Sequence, residues 1–284
     1  LGSSPTATVH RIALYNDQRL GSIRIEEVAD YVREVFPFAV VELRDEFLSH
    51  AVNTWGADPR WIARRLASSR LLDPMSCRTV DDPLPGEARY EERTIFDRSM
   101  TLLGVAYEGY SFQEILRSLI PWEERRYTMQ HIVLTARLLV TREPEEGRAH
   151  ARTIILGDPA LISIAGIVEA PALEPRTYLK LQFVRSPDLQ SLFLESERRR
   201  LGAIRYGDER LTEVVKGYVL QAVFYHLTGE PFCSDRLCRL YNAHTQEELI
   251  LAQLASGKLC KRHEEASRRL ALTRTTPQPS QKVS

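Results

Sequence analysis

Three cysteines and a histidine near the C-terminal end restrict the possible folds more than any other part of the sequence. Cys233, Cys238, Cys260 and His263 fall in the pattern C-x4-C-x21-C-x2-H. A close thiol pair, a helix-length gap and a second close pair make up the spacing of a zinc-ligand set. Three thiolates and an imidazole can converge on one tetrahedral ion. With four protein ligands no coordination position is left open, so the implied role is structural. The competing reading is that these cysteines are small buried hydrophobes. Cys77 stands alone in a polar stretch and carries no hypothesis.

A chain of 284 residues can bury a sizeable core without disulfides, so the cysteines are free for other work. With 43% hydrophobic and 27% charged residues, disorder, collagen and coiled-coil arrays are excluded for most of its length. Lys and Arg number 38, as do Asp and Glu, so no overall field attracts nucleic acid or an anionic membrane, although local basic clusters are still possible. The longest apolar stretch, Ile154 to Ile167, is broken by Gly157, Asp158 and Pro159 and falls short of a membrane span. Leu1 to Pro5 lacks the basic and apolar regions of a secretory leader. A cytoplasmic, reducing setting is expected, with no membrane and no nucleic-acid partner.

The fold class expected is α/β. Val9 to Tyr15 reads as a strand, and Ile25 to Phe36 as a helix with Ile25, Val28, Ala29, Val32 and Phe36 on one face. Pro37 ends that helix, and Phe38 to Leu43 reads as a second strand, giving a βαβ unit with a parallel pair. Glu46 to Leu72 has a helical pattern, followed by a turn-rich, flexible connection from Asp81 to about Arg89. Ser111 and Glu114 resemble a capping box that opens a helix from Phe112 to Leu119. His131 to Thr141, Ala151 to Gly157, Ala160 to Val168 and Thr177 to Val184 read as strands, and Glu143 to Glu146 as a loop tip. Helices are expected at Asp188 to Arg199, Glu209 to Thr228 and Ala243 to Ala255, with Gly229 stopping the second. The expected division is a disordered or foreign leader over 1–8, one domain over 9–272 and a disordered tail over 273–284.

Upstream of the cysteines, His226-Leu-Thr-Gly229-Glu-Pro-Phe232-Cys233-x4-Cys238 resembles the end of the archaemetzincin signature, H-E-x-x-H-x-x-G-x-x-H-C-x4-C, which is followed by C-x2-C. In that likeness His226 takes the second histidine and Gly229 the glycine. Cys233, Cys238 and Cys260 take three zinc-cysteine positions, and His263 stands for the fourth. The resemblance implies a zincin-like mixed sheet with packed helices and a C-terminal zinc knuckle over 233–263, in a metallopeptidase relative of archaeal origin. The departures are specific. Ala222 replaces the first zinc histidine, Val223 the general-base glutamate, Phe232 the third histidine and Leu240 the methionine of the Met-turn. A zincin needs two histidines one helical turn apart and a carboxylate to activate water. Of that set only His226 remains, so catalysis is expected to be lost and one structural zinc kept.

Two other readings stay open. An active metallohydrolase could use His226 with His244, Glu247 and Glu248, which are spaced i, i+3 and i+4. In the bland alternative, His226 is a hydrogen-bonded core residue, His244 caps or packs against the knuckle, and the glutamates face water. A non-catalytic subunit could instead bind a peptide along a sheet edge or dock a protein partner through the knuckle. No Walker lysine motif, no G-x-G-x-x-G after a strand and no G-x-S-x-G elbow is present, and the arginine runs 198–200 and 268–269 lack interleaved aromatics. The sequence does not set the oligomeric state.

Overall fold

The computed structural model describes residues 10–275 apart from 18, 20, 21, 74, 75, 101, 103 and 143–148. The expected βαβ unit is present as β1 (His10–Tyr15), α1 (Ile25–Val35) and β2 (Ala39–Arg44), with the two strands parallel. The apolar face read from the sequence is the buried one. Ile25, Val28, Ala29 and Val32 point inward, and Phe36 closes the helix under the sheet.

The single helical stretch expected over Glu46 to Leu72 is two helices, α2 (Phe47–Trp55) and α3 (Pro59–Ser68), followed by a short antiparallel pair, β3 (Leu71–Asp73) and β4 (Arg78–Thr79). Gly56 ends α2 in the left-handed region at φ 71°. Asp58 then caps α3, its side chain accepting from the Arg60 N–H, and Pro59 supplies the first helical position. The connection expected as a flexible loop to Arg89 is already helical from Pro85, where α4 (Pro85–Phe96) begins. After β5 (Ala106–Glu108), α5 (Gly109–Leu119) starts ahead of the proposed Ser111 cap. Glu108 is the real cap, accepting from the N–H groups of Tyr110 and Ser111.

His131 to Thr141 divides into β6 (Met129–Thr135) and β7 (Leu138–Arg142), and β8 (Ala149–Arg152) pairs antiparallel with β7. The acidic loop tip expected at Glu143 to Glu146 falls outside the described residues. β9 (Ile154–Ile155) and β10 (Ala160–Ser163) follow. The strand expected to continue to Val168 turns into α6 (Ile164–Glu169), because Ser163 caps it by accepting from the Gly166 N–H. Thr177 to Val184 is corrected from strand to helix. Pro175 occupies the first position of α7 (Pro175–Leu181), and α8 (Pro187–Arg200) packs beside it.

The last elements are α9 (Leu211–Thr228), α10 (Gln246–Ile250), a π-helical turn (Leu251–Ser256) and α11 (Lys261–Thr275). Residues 273–275, expected in the disordered tail, are helical. The rest of that tail and the 1–8 leader lie outside the described residues.

The main sheet has the order β2-β1-β6-β10-β9, parallel except for β9 at the edge, and a second sheet has the order β5-β7-β8. Alternation along the strands builds two cores. Ile12, Leu14, Ile132 and Leu134 pack against α1, α6 and α9, and Ala13, Tyr15 and Val133 pack against α2, α3 and α5. This is a mixed α/β fold with helices on both faces. α9 is placed beneath the sheet, with its C-terminal end leading into the cysteines.

Candidate metal centre

The route from α9 to the cysteines is set by backbone geometry. Gly229 takes φ 77° and its N–H donates to Tyr225 O at 2.8 Å, which stops the helix and turns the chain toward Cys233. The Cys233 N–H donates to Leu240 O at 2.9 Å and closes the first cysteine loop. After α10 and the π turn, Gly257 at φ 61° reverses the chain. The Arg239 N–H then donates to Lys258 O at 2.7 Å, laying Cys260 beside Cys238. His263 sits in the first turn of α11, its N–H donating to Cys260 O at 2.9 Å.

The four side chains expected to share a metal are brought together. Their ligand atoms lie within 4.8 Å of one another, with Cys233, Cys238 and His263 buried and Cys260 half-buried. A tetrahedral zinc with Zn–S about 2.3 Å and Zn–N about 2.0–2.1 Å requires sulfurs about 3.8 Å apart and sulfur–nitrogen separations of about 3.6 Å. Cys233 Sγ and Cys260 Sγ are 3.8 Å apart, Cys238 Sγ and His263 Nδ1 3.6 Å, and Cys260 Sγ and His263 Nδ1 3.2 Å. The donor set therefore fits zinc in its chemistry, and these three separations are close to the tetrahedral values.

The surroundings favour thiolate ligands once a cation is present. The Asp235 N–H donates to Cys233 Sγ, and the Cys260 N–H donates to Cys238 Sγ, each at 3.4 Å. Such donors offset charge on sulfur and fix the ligands' orientation. Without a cation, burial pushes the Cys238 thiol up to about 12, raises that of Cys233 and lowers the His263 imidazole. A metal binding there would displace the thiol protons of Cys233 and Cys238. Phe224 of α9 meets the His263 ring edge-on, with centroids 5.4 Å apart.

Arg239 was not singled out in the sequence, yet it seats the whole knuckle. It is buried and lies 4.7 Å over the Tyr31 ring of α1. It also donates to Glu213 O and Glu213 Oε2 of α9 at 3.3 and 3.2 Å. Only its position between Cys238 and Leu240 hinted at such a role.

The model of a family described as a "probable metallopeptidase family" matches residues 8–270. The chain belongs to this family. Among solved structures it is similar to archaemetzincin from Methanopyrus kandleri, at 14% identity and a TM-score of 0.38, with 95% of this chain and 98% of that chain covered. None of the curated proteins matches it.

In this member of the family, the positions that the resemblance gave to a zincin's first histidine and glutamate are sealed. Ala222 and Val223 are 0% exposed within the core that α9 forms with the sheet, and Gln130 Nε2 donates to Ala222 O at 2.8 Å. Leu240 is buried in the same core, and Phe232 lines a cavity of about 230 Å³ with His244 and the 150–154 strand segment. His226 is half-buried. Its Nε2 lies 2.7 Å from Tyr127 O, and its ring stacks on Tyr127 with centroids 5.0 Å apart.

The rescue constellation of His226, His244, Glu247 and Glu248 is not assembled. His244 precedes α10 instead of lying on it, because Thr245 is the helix cap. Glu248 closes that capping box, accepting from the His244 and Thr245 N–H groups at 2.9 and 3.2 Å. Burial alone would raise its pKa, but these two donors and Arg236 hold the carboxyl below its usual range. Glu247 is exposed. Among the described residues, the cluster able to hold a metal is the one formed by Cys233, Cys238, Cys260 and His263.

Proposed function

We propose that this member of the probable metallopeptidase family binds one zinc ion through Cys233, Cys238, Cys260 and His263 as a structural staple, and that it no longer hydrolyses peptides at α9. The observation that supports the reading is the convergence of four protein ligand atoms within 4.8 Å of one another. The burial of Ala222 and Val223 argues in the same direction. Free thiols suited to metal binding support the reading of a reducing compartment, the cytoplasm. Metal analysis of protein purified without chelators should find close to one zinc per chain. Cys260→Ser should lose it and melt at a much lower temperature, while Cys77→Ser should keep it. Full zinc in Cys260→Ser would remove the assignment. A second metal per chain, lost alone in His244→Ala, would instead revive the active metallohydrolase.

The same chain could serve as a peptide-recognition module, as the geometry of one sheet edge suggests. β9 is the antiparallel edge strand of the main sheet, β8 is the edge strand of the smaller one, and one continuous segment carries both. Residues 150–154 of that segment border the 230 Å³ cavity. An extended peptide could add there as a further strand.

A further inference from the structure

Between α6 and α9 the chain inserts a helical hairpin, α7 and α8, that the metal centre does not use. Its base is anchored. Thr177 Oγ1 donates to Glu197 at 3.3 Å, Arg200 pairs with Glu197 at 2.9 Å and with Glu174, and Arg198 pairs with Glu169 at 3.1 Å and donates to Val168 O. Toward the tip the side chains are apolar and uncovered. Leu179, Leu189 and Leu192 are each more than half exposed. Phe183, in the turn, reaches 86%, the highest value for a large apolar side chain among the described residues. A chain with balanced charge places three cations, Arg176, Lys180 and Arg185, and one anion, Asp188, between Pro175 and Leu194. Arg185 is exposed and makes no ion pair among the described residues, and Lys180 approaches Glu197 only to 3.9 Å.

We infer that the tip of this hairpin docks on an anionic lipid surface, with Phe183 and the neighbouring leucines entering the acyl boundary and Lys180 and Arg185 meeting the phosphates. The charge pattern decides in favour of lipid. An apolar point flanked by cations matches a soft, negatively charged phase, where apolar burial and electrostatic attraction add. The contact would be peripheral, since no helix among the described residues is long and apolar enough to cross a membrane.

The test uses the full chain with vesicles of phosphatidylcholine alone or with about one third phosphatidylglycerol, read by co-sedimentation at low and high salt. Binding is expected on the anionic vesicles only, and it should weaken with salt. Lys180→Gln with Arg185→Gln should lower the partition coefficient about 30-fold, and Phe183→Ser should also reduce it strongly. Unchanged circular dichroism and zinc content in these surface variants would show that they remain folded. No binding to anionic vesicles, or binding that both variants leave unaltered, would overturn the proposal. A wild-type dimer that Phe183→Ser makes monomeric, with no vesicle binding, would show that the surface is a seam between two copies.

Discussion

Arg137 is the largest side chain fully enclosed in the interior, and its surroundings show what one charge can demand of a fold. Its guanidinium lies 5.4 Å over the Tyr107 ring and donates to Thr94 Oγ1 at 2.9 Å. It pairs with Glu91 at 3.5 Å, and Tyr107 Oη donates to the same carboxylate at 2.9 Å. Glu91 is 0% exposed, so the carboxylate cannot be replaced by water without rearrangement. Glu91→Ala should leave a buried cation uncompensated and cost about 3–5 kcal/mol in urea unfolding. Glu91→Gln should cost less by keeping an acceptor for Tyr107. Equal stability of Glu91→Ala and wild type would mean that the pair carries no weight. Neither Arg137 nor Glu91 was legible as a partner in the sequence, since 46 residues separate them and nothing local links them. The cysteines and His263 were legible because metal ligands keep short, fixed spacings.

At the scale of elements, proline carries two opposite signals, ending one element or opening a helix. Pro85 lies in the stretch read as a turn-rich connection and Pro175 just before the stretch read as a strand, yet each occupies the first turn of a helix, where a missing N–H costs nothing. The apolar run after Pro175 has strand-like content, and the helix start decides the matter. β6 carries a group sensitive to mild acid. His131 lies buried there, its Nδ1 3.0 Å from Tyr15 Oη. Burial lowers its pKa, outweighing Asp158 and Glu124, which act the other way. Burial likewise lowers that of His50 on α2. The unfolded chain therefore takes up a proton before the folded one does. Stability should be complete above about pH 6.5 and fall as the pH drops through the lower, folded values. His131→Asn should flatten this slope by up to about 1.4 kcal/mol per pH unit in urea midpoints compared between neutral and mildly acidic buffer. An identical slope in the variant would assign the acid sensitivity elsewhere.

At the scale of the whole molecule, the first βαβ unit could be read from the sequence because hydrophobic periodicity and a closing proline are local signals. The sheet order could not. β1 pairs with β6 through Ile12 and Gln130, a partnership across more than a hundred residues that no neighbouring residue records. The knuckle was legible, but its seating through Arg239 on α1 and α9 was not, because those contacts exist only after the chain has closed. The knuckle also changes what it means to cut this chain. With zinc bound, the segment from Cys233 to His263 is a ring closed through a single atom, and exposed positions such as Asn242 and His244 lie inside that ring. A single proteolytic nick there should leave one particle on native size exclusion, and the urea concentration that separates the two fragments should fall once a chelator is added. Backbone continuity and physical integrity would then be separate properties of the molecule, and the ion would join the halves together with the core contacts of Gln246 and Leu249.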